Sequence, residues 1–289
     1  MKKKANILGL NIDIVSMNKA VDKIMSYANS KRTHFVITPN MDFLAKAHDD
    51  PRLMKFLNFA DLAVTDGMPI VWLEHIMGYK RAERVAGVDL VDRICSRCAR
   101  NGHSIFILGS KNNIIRKAIT ILKHKYPALR VAGYYGPPYH KVFSLEDNKL
   151  ILERLYKAKP IILFVALGLP KGEFWIMENK HLLKVPVAID IGGSFGMISK
   201  IVPRAPIWMQ KSGLEWFFRL INEPFRLWKR YISDDLRIFL IAIMDKKFRK
   251  VLLKIIFETL SKPKLLLKRF IIGKPRSLHG FINKYYIKD

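Results

Sequence analysis

Along the first two hundred residues, short apolar runs alternate with stretches of helical period. Six runs predict strands: His34–Thr38, Leu62–Thr65, Ser104–Leu108, Arg130–Tyr134, Ile161–Ala166 and Pro186–Ile191. They are largely apolar at consecutive positions, and most end at Gly, Pro, Asn or Asp. Strands buried on both faces of a parallel sheet have this character. Between them, helices are predicted over Asn18–Ser30, Asp89–Arg100, Asn112–Lys125 and Leu145–Ala158. In the second, Leu90, Val91, Ile94, Cys95 and Cys98 recur at helical spacing. The last follows Ser144 and opens on Glu146 and Asp147, an N-terminal signal. The alternation predicts an α/β fold with a Rossmann-like, doubly wound, mostly parallel sheet.

The pattern changes near Arg204. Residues 204–289 carry 20 Lys and Arg against 7 Asp and Glu, about twice the net charge density of residues 1–203. They look helical rather than α/β. The chain therefore divides into an α/β core (1–203) and a basic helical appendage (204–289). Within the appendage, Lys246–Leu260 sets Phe248, Val251, Leu252, Ile255, Ile256 and Leu260 on one broad face, edged by Lys247, Lys250 and Lys254. Such a helix suits a membrane interface, and it equally suits packing on a core with a solvated basic face.

Composition narrows the class. The chain has 289 residues, half of them hydrophobic, with 16 Gly and 14 Pro, which excludes collagen-like and wholly disordered chains. Its net charge of +27 implies an anionic partner: phospholipid, nucleic acid or a pyrophosphate substrate. Two cysteines exclude a disulfide-stapled domain. After the basic start Met1–Lys4, the apolar positions are broken at Asn6, Gly9, Asn11 and Asp13, so no export signal is expected. The best candidate for a spanning stretch, Ile238–Met244, is too short to cross a bilayer. The expected place is a reducing cytoplasm, with membrane contact confined to the surface.

Candidate chemistry gathers at strand ends. Ile105–Leu108 runs into Gly109 and Ser110 and then a helix. Amides at such a turn suit a phosphate, although the full G-x-G-x-x-G spacing is absent and a plain tight turn explains it as well. Asp190 leads to Gly192 and Gly193, and Phe164–Leu167 leads to Gly168 and Pro170. Three Gly-bearing loops after three parallel strands share one sheet edge, where α/β folds bind ligands. Thr38-Pro39-Asn40 and Thr65-Asp66-Gly67-Met68-Pro69 follow two further strands. Asp66 then stands at a strand's carboxyl end as a general base, a sugar or metal ligand, or merely the cap of the next helix. Cys95 and Cys98 fall inside a helix with no second pair and read as core residues. The eight histidines are scattered, so no metal site is expected, and P-loop and G-x-S-x-G motifs are absent.

In order along the chain, these segments resemble the WecG/TagA/CpsF family of bacterial glycosyltransferases (glycosyltransferase family 26). The likeness runs from Thr38-Pro39-Asn40 through Ala60-Asp61-Leu62, Asp66–Pro69, Glu83–Leu90 and Ile107–Ser110. It continues in Gly168–Lys171, Gly192–Phe195, Arg204-Ala205-Pro206, Gly213–Phe217 and Arg219–Pro224, and reaches Arg230-Tyr231. It implies an inverting transfer from a UDP-sugar donor to an undecaprenyl-diphosphate-linked amino sugar, with neither metal ion nor cofactor. It also implies Asp66 as the general base, Thr38 and Asn40 beside it, and Arg84 in the same pocket. Arg219, Arg226 and Arg230 are implied to reach toward diphosphate from an appendage that docks on the membrane. Gly109, Ser110, Gly168, Lys171, Glu173, Asp190, Gly192 and Gly193 complete the expected substrate-binding set.

Two positions depart from the family pattern: Gly172, where Gln commonly precedes the Glu, and Gly196, where Asp commonly follows the Phe. The expected protein is a peripheral enzyme of the cytoplasmic membrane face. It would move a hexose or N-acetylhexosamine in cell-surface polysaccharide or teichoic-acid-type synthesis, as a homo-oligomer. The two departures motivate an alternative, a catalytically impaired relative that binds lipid or serves as a scaffold. No nucleic-acid partner is expected, because no recognisable module is present and the basic tail is interleaved with long apolar stretches.

Overall fold

A computed structural model describes residues 4–138, 143–245, 248–250 and 253. The broken stretch at the start is a hairpin, β1 (Lys4–Ile7) and β2 (Leu10–Asp13). Buried Ala5, Ile7, Leu10 and Ile12 alternate with the polar positions that interrupt the apolar pattern. Leu8 (φ +48) and Gly9 (φ +95) form its turn, in the left-handed pair that a two-residue hairpin requires.

The chain continues as α1 (Met17–Tyr27), β3 (His34–Ile37), α2 (Met41–Asp49), α3 (Pro51–Leu57), β4 (Leu62–Ala63), α4 (Met68–Ile76) and α5 (Gly87–Asn101). Next come β5 (Ser104–Gly109), α6 (Asn112–Lys125), β6 (Arg130–Tyr135), α7 (Leu145–Ala158), β7 (Ile162–Ala166), α8 (Lys171–Asn179) and β8 (Val187–Asp190). After α9 (Ser194–Ile198) the described chain is helical: α10 (Ile207–Ser212), α11 (Glu215–Asn222), α12 (Pro224–Lys229), a π-helical segment Arg230–Asp235, and α13 (Leu236–Met244). Strands β3 to β8 form one sheet in the order β4-β3-β8-β7-β5-β6, with every pair parallel. The expected sheet is thus present, and it is wholly parallel.

The consecutive apolar positions have the expected cause. Ile162, Leu163, Phe164 and Val165 are all fully buried, because helices cover both faces of the sheet. Alternate residues feed two apolar layers: Phe35, Ile37, Leu163, Val165 and Ala188 on one side, Val36, Ile105, Ile107, Phe164 and Ile189 on the other. Cys95 and Cys98 lie in the second layer, where burial raises both thiols. Helix α7 opens with a full capping box between Ser144 and Asp147.

Past Arg204 the described helices lie against the core. Leu227, Ile238 and Ala242 are buried, and the last two join the layer beneath α2 and α4. Among the described residues no helix is long and apolar enough to cross a membrane. The amphipathic stretch Lys246–Leu260 lies mostly outside the described residues.

Candidate active site

Asp66 sits just past β4, where the chain turns into α4. Gly67 makes that turn at φ +143 and gives α4 no side-chain cap, so Asp66 does not cap the helix that follows it. Its Oδ2 instead accepts the Gly87 N–H at 3.2 Å, in the first turn of α5. A carboxylate at that end faces the positive pole of a fifteen-residue helix. A Cβ on Gly87 would stand 2.7 Å from the Ser194 hydroxyl and 3.4 Å from Asp66, so only glycine permits this approach.

A cleft opens around this carboxylate. Its walls include Asn40, Arg84, Met197, Glu215, Trp216, Arg219, Arg230, Tyr231 and Asp235. Arg84 ion-pairs with Glu215 at 2.5 Å, bridging the loop before α5 to α11. Arg204 grips Asp89 with two hydrogen bonds of 2.8 and 2.7 Å and approaches Glu215 at 3.9 Å. Charges thus alternate from Asp89 through Arg204 and Glu215 to Arg84. Arg230 stands 3.8 Å from Asp42 and 3.9 Å from Asp235. The buried Nε–H groups of Arg219 and Arg230 donate no hydrogen bond among the described residues. Two guanidinium groups facing a cleft with unused donors suit an oxyanion.

Burial lifts the Asp66 carboxyl to about 6; the Gly87 amide, Arg84 and Arg219 oppose the rise, and Glu215 adds to it. A group titrating there is ionised at neutral pH yet far more basic than an exposed aspartate. Asp235 is likewise lifted to about 6, chiefly by burial and against the pull of Arg230.

The expected site residues fall into two groups. Asn40, Asp66, Arg84, Arg219 and Arg230 meet at the cleft. Asn40 also caps α2, its Oδ1 accepting the Phe43 N–H at 3.2 Å. Thr38 is buried behind them and donates to the Asp190 carbonyl at 3.2 Å. Arg226 lies on α12. Gly109, Ser110, Gly168, Lys171, Gly192 and Gly193 sit on the same carboxyl edge of the sheet but are not part of the cleft wall around Asp66. At the Gly109 turn the Ser110 N–H is already engaged, donating to the Ala166 carbonyl at 3.0 Å. A Cβ on Gly109 would collide with that carbonyl at 2.5 Å, which explains the glycine by strand packing. Glu173 and Asp190 are fully buried.

Comparison with known proteins decides the family. Residues 5–252 match the glycosyl transferase WecG/TagA/CpsF family. The chain belongs to that family. One relative, from Bacillus subtilis (strain 168), is 31% identical over 228 residues, covering 79% of this chain and 86% of the relative. Another, from Staphylococcus aureus (strain MW2), is 28% identical over 252 residues, covering 86% and 95%. Both are named N-acetylglucosaminyldiphosphoundecaprenol N-acetyl-beta-D-mannosaminyltransferase. This chain is accordingly a glycosyltransferase.

Two acids on the cleft wall of this glycosyltransferase, Glu215 and Asp235, were not among the expected site residues. Glu215 stands in the segment Gly213–Phe217 that carries part of the family likeness, which was the available signal. Nothing in local sequence announces Asp235, whose environment comes from Arg230 one turn earlier and Asp42 on α2.

Proposed function

We propose that this glycosyltransferase moves an N-acetylhexosamine from a UDP-sugar to an N-acetylglucosaminyl-diphospho-polyprenol, inverting the anomeric centre without a metal ion. One observation carries the reading: a raised-pKa carboxylate, Asp66, faces a cleft in which Arg84, Arg219 and Arg230 gather. A sugar hydroxyl is a poor nucleophile, and a positioned carboxylate that takes its proton during attack contributes roughly 10²–10⁴-fold. The departing nucleoside diphosphate gathers negative charge. Guanidinium donors already aimed at the cleft stabilise it with little reorganisation. The names of the relatives supply the acceptor and the N-acetylmannosaminyl group as the first donor to try.

The acceptor lipid is confined to a bilayer, and the helices bordering the cleft suit an interface. Ile207, Trp208, Phe217, Ile221, Phe225 and Trp228 are exposed along α10 to α12, Phe225 at 95%. Trp216 lines the cleft and is itself exposed, so apolar surface begins at the cleft mouth. Aromatic side chains favour the headgroup region, and each nearby Lys or Arg adds about 1 kcal/mol on an anionic leaflet. We read the segment after Arg204 as the membrane-facing part and the cytoplasmic face as its place. Replacing Phe225 and Trp228 with aspartate should cut co-sedimentation with anionic liposomes at least tenfold and leave the melting temperature unchanged. Undiminished binding would remove these helices from the membrane reading.

The direct test incubates purified protein with UDP-sugars, UDP-N-acetylmannosamine first, and a short-chain polyprenyl-diphosphate-GlcNAc, with chelator present. Mass spectrometry should show one added N-acetylhexosamine. Folded, liposome-binding protein that gives no product with any donor would overturn the reading in favour of a lipid-binding relative.

A further inference from the structure

Glu173 and Asp190 are buried acids near the sheet's carboxyl edge, at 0% and 1% exposure. Glu173 stands in the first turn of α8 and Asp190 ends β8. Their side chains lie within hydrogen-bonding reach of each other. None of their four oxygens has a well-formed hydrogen bond from an N–H or O–H donor among the described residues. Among those residues, the cation that acts on Glu173 is Lys46 of α2, which is held at 3.3 Å by both Asp42 and the Leu169 carbonyl. The Glu173 amide and, through space, Lys46 favour ionisation of Glu173, Asp42 opposes it, and the Gly192 amide favours ionisation of Asp190.

Two adjacent buried carboxylates without a counter-ion in contact cannot both be charged. If one keeps a proton, that proton supplies a donor between the two carboxyls. We infer that Glu173 and Asp190 are positioning residues that share a proton, and that this acid pair ties the loop before α8 to the loop after β8. The second loop matters because the Asp190 carbonyl accepts the Thr38 hydroxyl, on the strand next to the one that leads to Asp66. The pair also accounts for Gly172. A Cβ there would press on Asp190 Oδ1 at 3.1 Å and Val165 Cγ1 at 3.2 Å. The bearing on catalysis rests on the transferase reading; the existence of the shared proton does not.

Burial, with mutual repulsion on Asp190, pushes both carboxyls above their ordinary values. The folded chain then holds protons that the unfolded chain releases near pH 4, so this contribution to stability falls as pH rises. The experiment is a melting-temperature profile from about pH 5 to 9 for wild type, E173Q and E173L. Glutamine supplies a permanent donor and removes one titrating group. Its profile should be flatter than wild type's, with the midpoint higher on the alkaline side. Leucine cannot hydrogen-bond and should melt below E173Q throughout. An E173Q profile as steep as wild type's, or E173L melting with E173Q, would overturn the pair. Independently, a wild-type minus E173Q/D190N infrared difference spectrum at about pH 8 should contain a protonated-carboxyl band. Its absence would also overturn the proposal, whatever the transfer assay shows.

Discussion

Asp66→Asn should lower the transfer rate by about 10²–10⁴-fold, the usual contribution of a positioned general base. The substitution is nearly isosteric, and the asparagine oxygen still accepts the Gly87 N–H that Asp66 Oδ2 accepts at 3.2 Å. The fold should therefore survive. The effect on stability follows from the raised pKa. The Asp66 carboxyl is lifted from 3.8 to about 6, so the folded state holds a proton that the unfolded state has released across that window. The aspartate's contribution to stability falls as pH rises from about 4 to 6 and then stays low. Asp66→Asn should thus melt at or above the wild-type temperature at neutral pH while losing activity. The wild-type rate should climb through about pH 6 as the base ionises, and the variant should lack that limb. A variant that keeps wild-type turnover would remove Asp66 from the mechanism.

Arg84→Ala carries the second large effect, by two routes. Arg84 holds Asp66 ionised against desolvation, and it neutralises Glu215, which pushes the Asp66 pKa up. Without it both influences raise the Asp66 carboxyl further. The acid limb of the rate profile should move upward from about 6, and the rate at neutral pH should fall. On the proposed reading a guanidinium beside the diphosphate is lost as well, and removal of one such donor elsewhere costs roughly 10²–10³ in rate. Stability should fall by about 2 kcal/mol, because a half-buried carboxylate loses its charged partner. Arg204, 3.9 Å from Glu215, keeps the loss from being larger. A pH–rate profile beside a denaturation curve separates the routes. An unmoved acid limb would show that Arg84 does not tune Asp66.

The two departures from the family pattern have spatial counterparts. Gly172 lies against Asp190 and Val165, and a Cβ on Gly196 would stand 3.1 Å from Val202 Cγ2. Restoring the family residue by Gly172→Gln or Gly196→Asp asks these neighbours to shift by a few tenths of an ångström. The glycines therefore fit the packing around them. Asp66, Arg84, Arg219 and Arg230 meet at the cleft regardless.

Local sequence was enough to dictate the parallel sheet. Strands with both faces buried must be apolar at consecutive positions, and that run length is local information: all six predicted runs are strands of the sheet. Helices α6 and α7 were legible for a similar reason, since their ends and faces lie within single stretches of chain. The hairpin β1–β2 was not, because its polar edge positions and left-handed turn break the apolar run that would have marked it. Helices α2, α3, α4 and α8 are short, so their faces answer to distant partners more than to their own period. Asp66 was marked by its place at a strand end, but its bond was decided by a helix that starts 21 residues later. Folding in three dimensions is what brings Glu215 to Arg84 across 131 residues, and Glu173 on α8 to Asp190 at the end of β8. Electrostatic environment depends on distance through space and on exclusion of water, and neither quantity is written in the order of residues.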